Sequence, residues 1–250
     1  MNTNINKAQS GLIYIDSRRR GYGSSSAFTL SWNEDIVMDG IGLLSVIMPN
    51  TFYNINDFNN TISVTEGSNT VSIVLSNGVY NIASLLTTLS TALTNNLTLT
   101  GTFTCTLDSI TQKVVISSTV AFLINMDTLG YGLATSLGFT NTQSSATTQT
   151  ANNLYDISGT REVYIQVNLP LASHFNDDLR DIIGGVPVVQ GSFGDIITKS
   201  YESSEHMIWF SNTQYINSLS ISLVDGYGRP MDLNGVNWSM ELAYTRSSGN

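Results

Sequence analysis

Few residues in this 250-residue chain have the type and spacing that chemistry needs. The two histidines, His174 and His206, lie in separate segments, and Cys105 is the single cysteine. No Cys/His zinc set can be built from them, and a Ser or Cys triad would have to recruit one of the two histidines as its base. Asp177-Asp178 with Asp181 offers carboxylate oxygens to calcium but lacks the spaced ligand pattern of a dedicated loop, so a solvated acidic turn is the plainer reading. Paired carboxylates for glycoside hydrolysis could be drawn from 19 acidic residues, and nothing singles out two. Gly21-Tyr-Gly-Ser-Ser-Ser26 opens like a dinucleotide loop, but it lacks the third glycine and no helix follows. It is a turn. The N-x-S/T triplets at Asn59, Asn96 and Asn237 are what chance supplies in a chain rich in Asn and Thr.

One cluster stands out. Arg18, Arg19 and Arg20 follow the strand-like run Leu12-Ile-Tyr-Ile15 and the pair Asp16-Ser17, and they hold three of the chain's ten basic side chains. A strand ending in such a cluster is either a contact site for something acidic or a solvated corner. The acidic partner would be nucleic-acid phosphate or a carboxylate patch on another protein. Asp16 offers partial pairing, worth little if exposed.

The elements that must position this cluster are β-strands. Ala27–Trp32, Glu162–Val167 and Ile216–Leu223 alternate apolar and polar residues with period 2. Ile41–Met48 is a continuous apolar run that suits a strand buried on both faces, and Pro49-Asn50 breaks it. Further strand-like runs fall near 186–190, 195–198, 207–210 and 238–244. From Asp57 the texture changes. Hairpins are expected at Thr61–Leu75 and Thr102–Ile116, on either side of one helix from about Ile82 to Asn95 with Asn81 as N-cap. A short helical or turn-rich piece follows near 128–137, and 141–153 is a polar low-complexity stretch expected to be a linker. Asp177–Ile183 is expected to form an acidic turn, and Asp225–Pro230 a turn before the last strand.

Outside residues 57–157 this gives about eight strands: 11–16, 27–32, 41–48, 162–168, one within 186–198, 205–211, 215–224 and 237–245. Eight short antiparallel strands with long connections are what a jelly roll requires. The expected division is a polar arm at 1–10, a discontinuous jelly roll at 11–56 and 158–246, and an inserted mostly-β domain at 57–157. The arm is expected to enter the fold at the arginine corner.

Composition narrows the classes further. The net charge of −9 argues against a general nucleic-acid-binding surface. Only 12% of residues are charged, against roughly 25% in ordinary soluble domains, and Ser, Thr and Asn supply the polarity instead. Hydroxyls and amides cost less to desolvate than charges, so a surface destined to be covered by neighbours has this composition. Secreted adhesins share it. The first ten residues lack the apolar core of a signal peptide, and no run approaches the length of a membrane span.

Several motifs resemble one family in order and spacing. Ile15-Asp-Ser-Arg18 followed by the Ala27-Phe-Thr-Leu30 strand resembles the N-terminus of the penton, or minor capsid, proteins of virophages and polinton-like viruses. Ser45-Val-Ile-Met-Pro-Asn-Thr-Phe-Tyr-Asn54 is similar to their strand and Pro-Asn-x-x-Tyr-Asn corner. Gly78-Val-Tyr80 before the helix, the Phe103 and Val114 hairpin and Leu137-Gly-Phe139 resemble their inserted module. Asp225-Gly-Tyr-Gly-Arg-Pro-Met-Asp-Leu-Asn-Gly235 before Trp238 resembles their closing turn. The likeness runs from about residue 11 to 245. Arg19 departs from it, standing where an acidic residue is more usual (Asp-Ser-Arg-Asp-Arg), which leaves this corner more basic.

The resemblance implies a single jelly roll with an inserted domain, five copies of which close the five-fold vertex of a virion among double-jelly-roll major capsid proteins. It implies a homopentamer that also meets the major capsid protein and other minor capsid proteins. No enzymatic activity, no cofactor and no specific nucleic-acid binding are expected. The inserted module would face outward and the arm inward, and Arg18, Arg19 and Arg20 would be subunit-contact residues. The alternatives are a jelly-roll lectin or fibre-like adhesin using Trp32, Trp209, Trp238 or the inserted domain's tyrosines as a sugar platform, and a β-sandwich hydrolase.

Overall fold

Alternation of buried and exposed residues governs nearly every strand of the computed structural model, which describes residues 9–126, 132–171, 180–188, 192–201 and 207–246. In chain order these are β1 (Gln9–Asp16), β2 (Tyr22–Gly23), β3 (Ala27–Pro49), β4 (Thr61–Glu66), β5 (Asn69–Val74), helix α1 (Ile82–Thr94), β6 (Phe103–Leu107) and β7 (Val114–Asn125). There follow the single turn of helix α2 (Leu133–Ser136), then β8 (Ala146–Thr150), β9 (Glu162–Val167), β10 (Ile182–Pro187), β11 (Ile196–Ser200), β12 (Met207–Val224) and β13 (Ser239–Arg246). The chain divides into two compact units, Met1–Phe52 with Thr160–Asn250, and Tyr53–Gly159.

The first unit is a jelly-roll β-sandwich. Residues 40–49 of β3 pair with β13 on one side and with β11 on the other, and β1 closes the far edge against β13. Residues 27–38 of β3 pair with the second half of β12, which pairs in turn with β9, and β9 with β10. Two four-stranded orders result, β1-β13-β3-β11 and β3-β12-β9-β10, which is the jelly-roll arrangement. Ile13, Ile41, Leu43, Val46 and Met48 from the first sheet meet Phe28, Val163, Ile165, Leu219 and Ile221 from the second in one buried core. Each such side chain contributes about 1.5–3 kcal/mol on burial.

Several expectations are corrected. Segments 27–32 and 41–48 are one strand of 23 residues, and 205–211 and 215–224 are one strand of 18 residues. Register shifts at Trp209/Gln214 and Ile216/Ser218 let this pair bend from one sheet into the other without breaking, as bulges do. The run 41–48 is not buried on both faces, because Ile47 is half exposed on the outer side of its sheet. The region 186–198 holds the ends of two strands, β10 and β11. Ile182 and Ile183 belong to β10 rather than to an acidic turn, which is confined in the described residues to Asp181 at φ 58°.

Register also fixes the two ends of the sandwich. At one end Gln9 faces Arg246 and Gly40 faces Thr245; at the other Asp16 faces Ser239, Ser239 faces Ile47, and Ile47 faces Thr198. The arginines follow Asp16, so they lie at the opposite end of β1 from the point where the chain enters it. The eight residues of β1 separate the two by roughly 25 Å at about 3.3 Å per residue. The expected arm entry at the arginine corner is therefore corrected.

In the second unit β4 and β6 follow one another along one edge of β7, β8 lies along the other, and β5 flanks β4. Helix α1 buries Leu85, Leu86, Leu89 and Leu93, and the Asn81 side chain caps it by accepting the Ser84 N–H at 2.8 Å. Its leucines share a core with Ile62, Val64, Ile116, Phe122 and Ile124. The 141–153 stretch is no linker. Residues Ala146–Thr150 form β8, and the buried Gln149 amide donates to the Phe122 and Ser144 carbonyls, both at 2.8 Å. A low-complexity Thr/Gln run can pair as a strand once one amide finds buried acceptors. Glu66, also buried, accepts from Thr100 N and Oγ1 and from Gly101 N, tying the end of β4 to the start of β6. Burial opposes its charge, but these donors outweigh the penalty and hold its carboxyl below the usual range.

Candidate functional site

The arginine corner begins where β1 ends. Asp16 caps the short 3-10 turn Ser17–Arg19, accepting the Arg18 N–H at 2.9 Å. The same carboxylate takes the Arg18 guanidinium in a fork, with Nε at 2.9 Å and Nη2 at 2.5 Å. The Arg18 side chain and backbone N–H hold the Asp16 carboxyl below its ordinary range. With the Arg18 side chain 72% exposed, solvent screens this pair and it adds little to stability.

Arg20 does something else. Its Nη1 donates to the Ser17 carbonyl at 2.6 Å and to Asn237 Oδ1 at 2.7 Å, and its Nε reaches the Gly23 carbonyl at 3.2 Å. It closes the loop onto the segment before β13. Ser17, fully buried, completes that clamp: its hydroxyl donates to Asn237 Oδ1 at 3.1 Å and accepts the Trp238 N–H at 2.9 Å. Gly23, at φ 97°, is required because a Cβ there would strike the Ala27 carbonyl.

Arg19 is exposed and makes no hydrogen bond or ion pair among the described residues. The three adjacent arginines therefore have three roles: Arg18 is paired, Arg20 is a clamp, and Arg19 is free. Asn237, which the sequence offered only as a chance sequon, is the acceptor that joins the corner to the core. No short-range signal marks it, since it lies 220 positions from Ser17.

The other quoted motifs have structural work of their own. Asp225, buried, accepts the backbone N–H groups of Tyr227 at 2.8 Å and Arg229 at 3.0 Å, and pairs with the Arg229 guanidinium at 2.6 Å. That guanidinium stacks over the Tyr227 ring, 4.8 Å from its centre. Thr51 donates to the Leu233 carbonyl at 2.9 Å and accepts from Asn234. Asn54 binds both backbone groups of Tyr80 and the Ile157 carbonyl.

Chemistry elsewhere is sparse. Burial pushes the Cys105 thiol up to about 12, the opposite of an activated nucleophile. Among the described residues no group of three or more His, Cys, Asp or Glu could hold a metal ion. His174, His206, Asp177 and Asp178 lie outside the described residues. The sugar-platform alternative is corrected for Trp238, which is buried with its indole N–H on the Ser25 carbonyl at 2.7 Å; Trp209 is 61% exposed. No helix among the described residues is long and apolar enough to cross a membrane.

The fold and corner together define a jelly-roll sandwich interrupted between β3 and β9 by a second compact unit. Among solved structures, that of the mavirus penton protein shares this fold, with a TM-score of 0.50 and 11% sequence identity over 96% of this chain and 100% of that one. No family model and no curated protein matches the sequence.

Proposed function

We propose that this chain is a structural capsid protein that forms the pentameric five-fold vertex of an icosahedral virion, among double-jelly-roll major capsid proteins. It acts without enzymatic activity or cofactor. The observation that carries this reading is the length of the likeness: the correspondence with the mavirus penton protein covers 96% of this chain, so it takes in both units. The low charge content, the free Arg19 and the exposed apolar side chains on the sandwich support it. In this reading the end of the sandwich bearing Gln9 faces the particle interior and the end bearing the arginine corner faces outward. Arg18, Arg19 and Arg20 serve contact with an adjacent subunit or a major capsid neighbour. Native mass spectrometry and negative-stain imaging of the purified chain test the reading. Rings of five are the expected result, and a strict monomer that never enters a particle overturns it.

A further inference from the structure

The two edges of the first sheet differ in charge at the same end. At its β1 edge stand Arg18–Arg20, just beyond the row that joins Asp16, Ser239, Ile47 and Thr198. At its β11 edge, three strand spacings away (about 14 Å), stands Asp195. Asp195 lies on the same side of that row, because Ile196 pairs with Pro49 and the Asp195 carbonyl accepts the Asn50 N–H at 2.8 Å. Its carboxylate is exposed, accepts the Ser192 N–H at 2.7 Å and makes no ion pair among the described residues. The nearby Lys199 ammonium lies over the Tyr201 ring, 5.2 Å from its centre.

Each edge also carries exposed apolar side chains. Tyr14 and Leu12 on β1 are 69% and 49% exposed, and Ile196 and Phe193 at the β11 edge are 63% and 48% exposed. Among the described residues β1 pairs only with β13, and β11 only with β3, so neither outer backbone edge has a partner strand among them.

A closed ring joins two different patches of the same subunit, and rotation about the ring axis keeps those patches at equal height. A cation and a carboxylate without ion-pair partners among the described residues, at one height on opposite edges, satisfy that condition. We infer that the occupant of the β1 edge is a second copy of this chain, whose Asp195 meets Arg19. The inference rests on the ring-forming reading above and names the surfaces that close the ring. Charges at an interface rim act chiefly on association rate and partner choice, so assembly through this pair weakens as salt screens it.

The test is a charge swap in the full chain, read by native mass spectrometry and sedimentation, with circular dichroism as the check on folding. Arg19→Glu and Asp195→Lys are each expected to raise the concentration needed for half-assembly by about tenfold or more, since the like-charge contact recurs at every interface. The double variant R19E/D195K is expected to return assembly to near the wild-type level. Asp195→Asn keeps an oxygen for the Ser192 N–H and is expected to give an intermediate loss, which separates the charge from the loop geometry. If the wild type forms rings and Arg19→Glu assembles equally well, or the swap does not rescue, this pairing is wrong while the vertex reading stands. Rings that survive Arg19→Glu but no longer enter particles assign Arg19 to a different protein and overturn the pairing as well. A wild-type chain that remains monomeric removes both.

Discussion

Two loops in the first unit place arginine beside aspartate, and they use the pair in opposite ways. In the Asp225–Arg229 turn one carboxylate faces one guanidinium. The carboxylate is buried, both flanking N–H groups are bound, and the cation is held under partial cover against an aromatic ring. In the Asp16–Gly23 corner one carboxylate faces three guanidiniums, and the pair it forms is exposed. A one-to-one ratio with burial closes a loop on itself. A three-to-one ratio at the surface leaves two charges over: Arg20 gives its donors to neutral oxygens, and Arg19 makes no hydrogen bond or ion pair among the described residues. What distinguishes a fold-holding turn from a contact site here is stoichiometry and burial, since both use the same residue types.

Substitutions in the two loops test this contrast. Asp225→Ala should cost the most, about 3 kcal/mol, because it takes the buried carboxylate away from a partly buried cation and from two backbone donors. A fall in the denaturant midpoint with an unchanged slope would register it, and a cost under 1 kcal/mol would make the closing turn no more structural than the arginine corner. Ser17→Ala should cost about 1–2 kcal/mol, since the buried Trp238 N–H loses its acceptor, while the exposed Asn237 side-chain carbonyl keeps Arg20. Asn237→Ala should then add little on top of it, a coupling that a double-mutant cycle measures.

Asp16→Asn should cost under 1 kcal/mol and should change the pH dependence of stability. The folded carboxyl of Asp16 lies below its unfolded value, chiefly through the Arg18 hydrogen bond. Its contribution is therefore present above the ordinary carboxylate range and lost as pH falls through the lower folded value. The variant should flatten the acid limb of a stability profile in that interval; an unaltered limb would show that the exposed pair contributes nothing. Arg19→Ser should have the smallest effect on stability, within about 0.5 kcal/mol, because the exposed side chain makes no hydrogen bond or ion pair among the described residues. A larger loss would assign Arg19 to the corner's own structure.

Local features were legible in the sequence. Period-2 alternation marked β4, β5, β9, the start of β3 and the second half of β12, an apolar run marked β1, and 3.6-residue spacing with an Asn cap marked α1. The glycine-rich turns at 21–23 and 225–228 were equally readable. Less legible were the joins. Nothing local tells that Asn33-Glu34-Asp35 lies within a continuous strand, because bending between sheets is permitted by bulges in its partner. Nor does a Thr/Gln run declare itself a strand when its pairing depends on the edge of β7, a strand earlier in the chain.

The candidate site divides in the same way. Contiguous residues alone establish that three arginines end a strand and that Asp16 is near enough to pair with one of them. Which arginine stays free depends on Asn237 and Ser17, brought to the corner by the pairing of β1 with β13. That Asp195 stands at the same height on the far edge follows from register across four strands. Short-range preferences are written in neighbouring residues, whereas register comes from pairings between segments as distant in the chain as Gln9 and Arg246. Only the folded sheet brings a basic corner and an acidic one to opposite edges of a single surface.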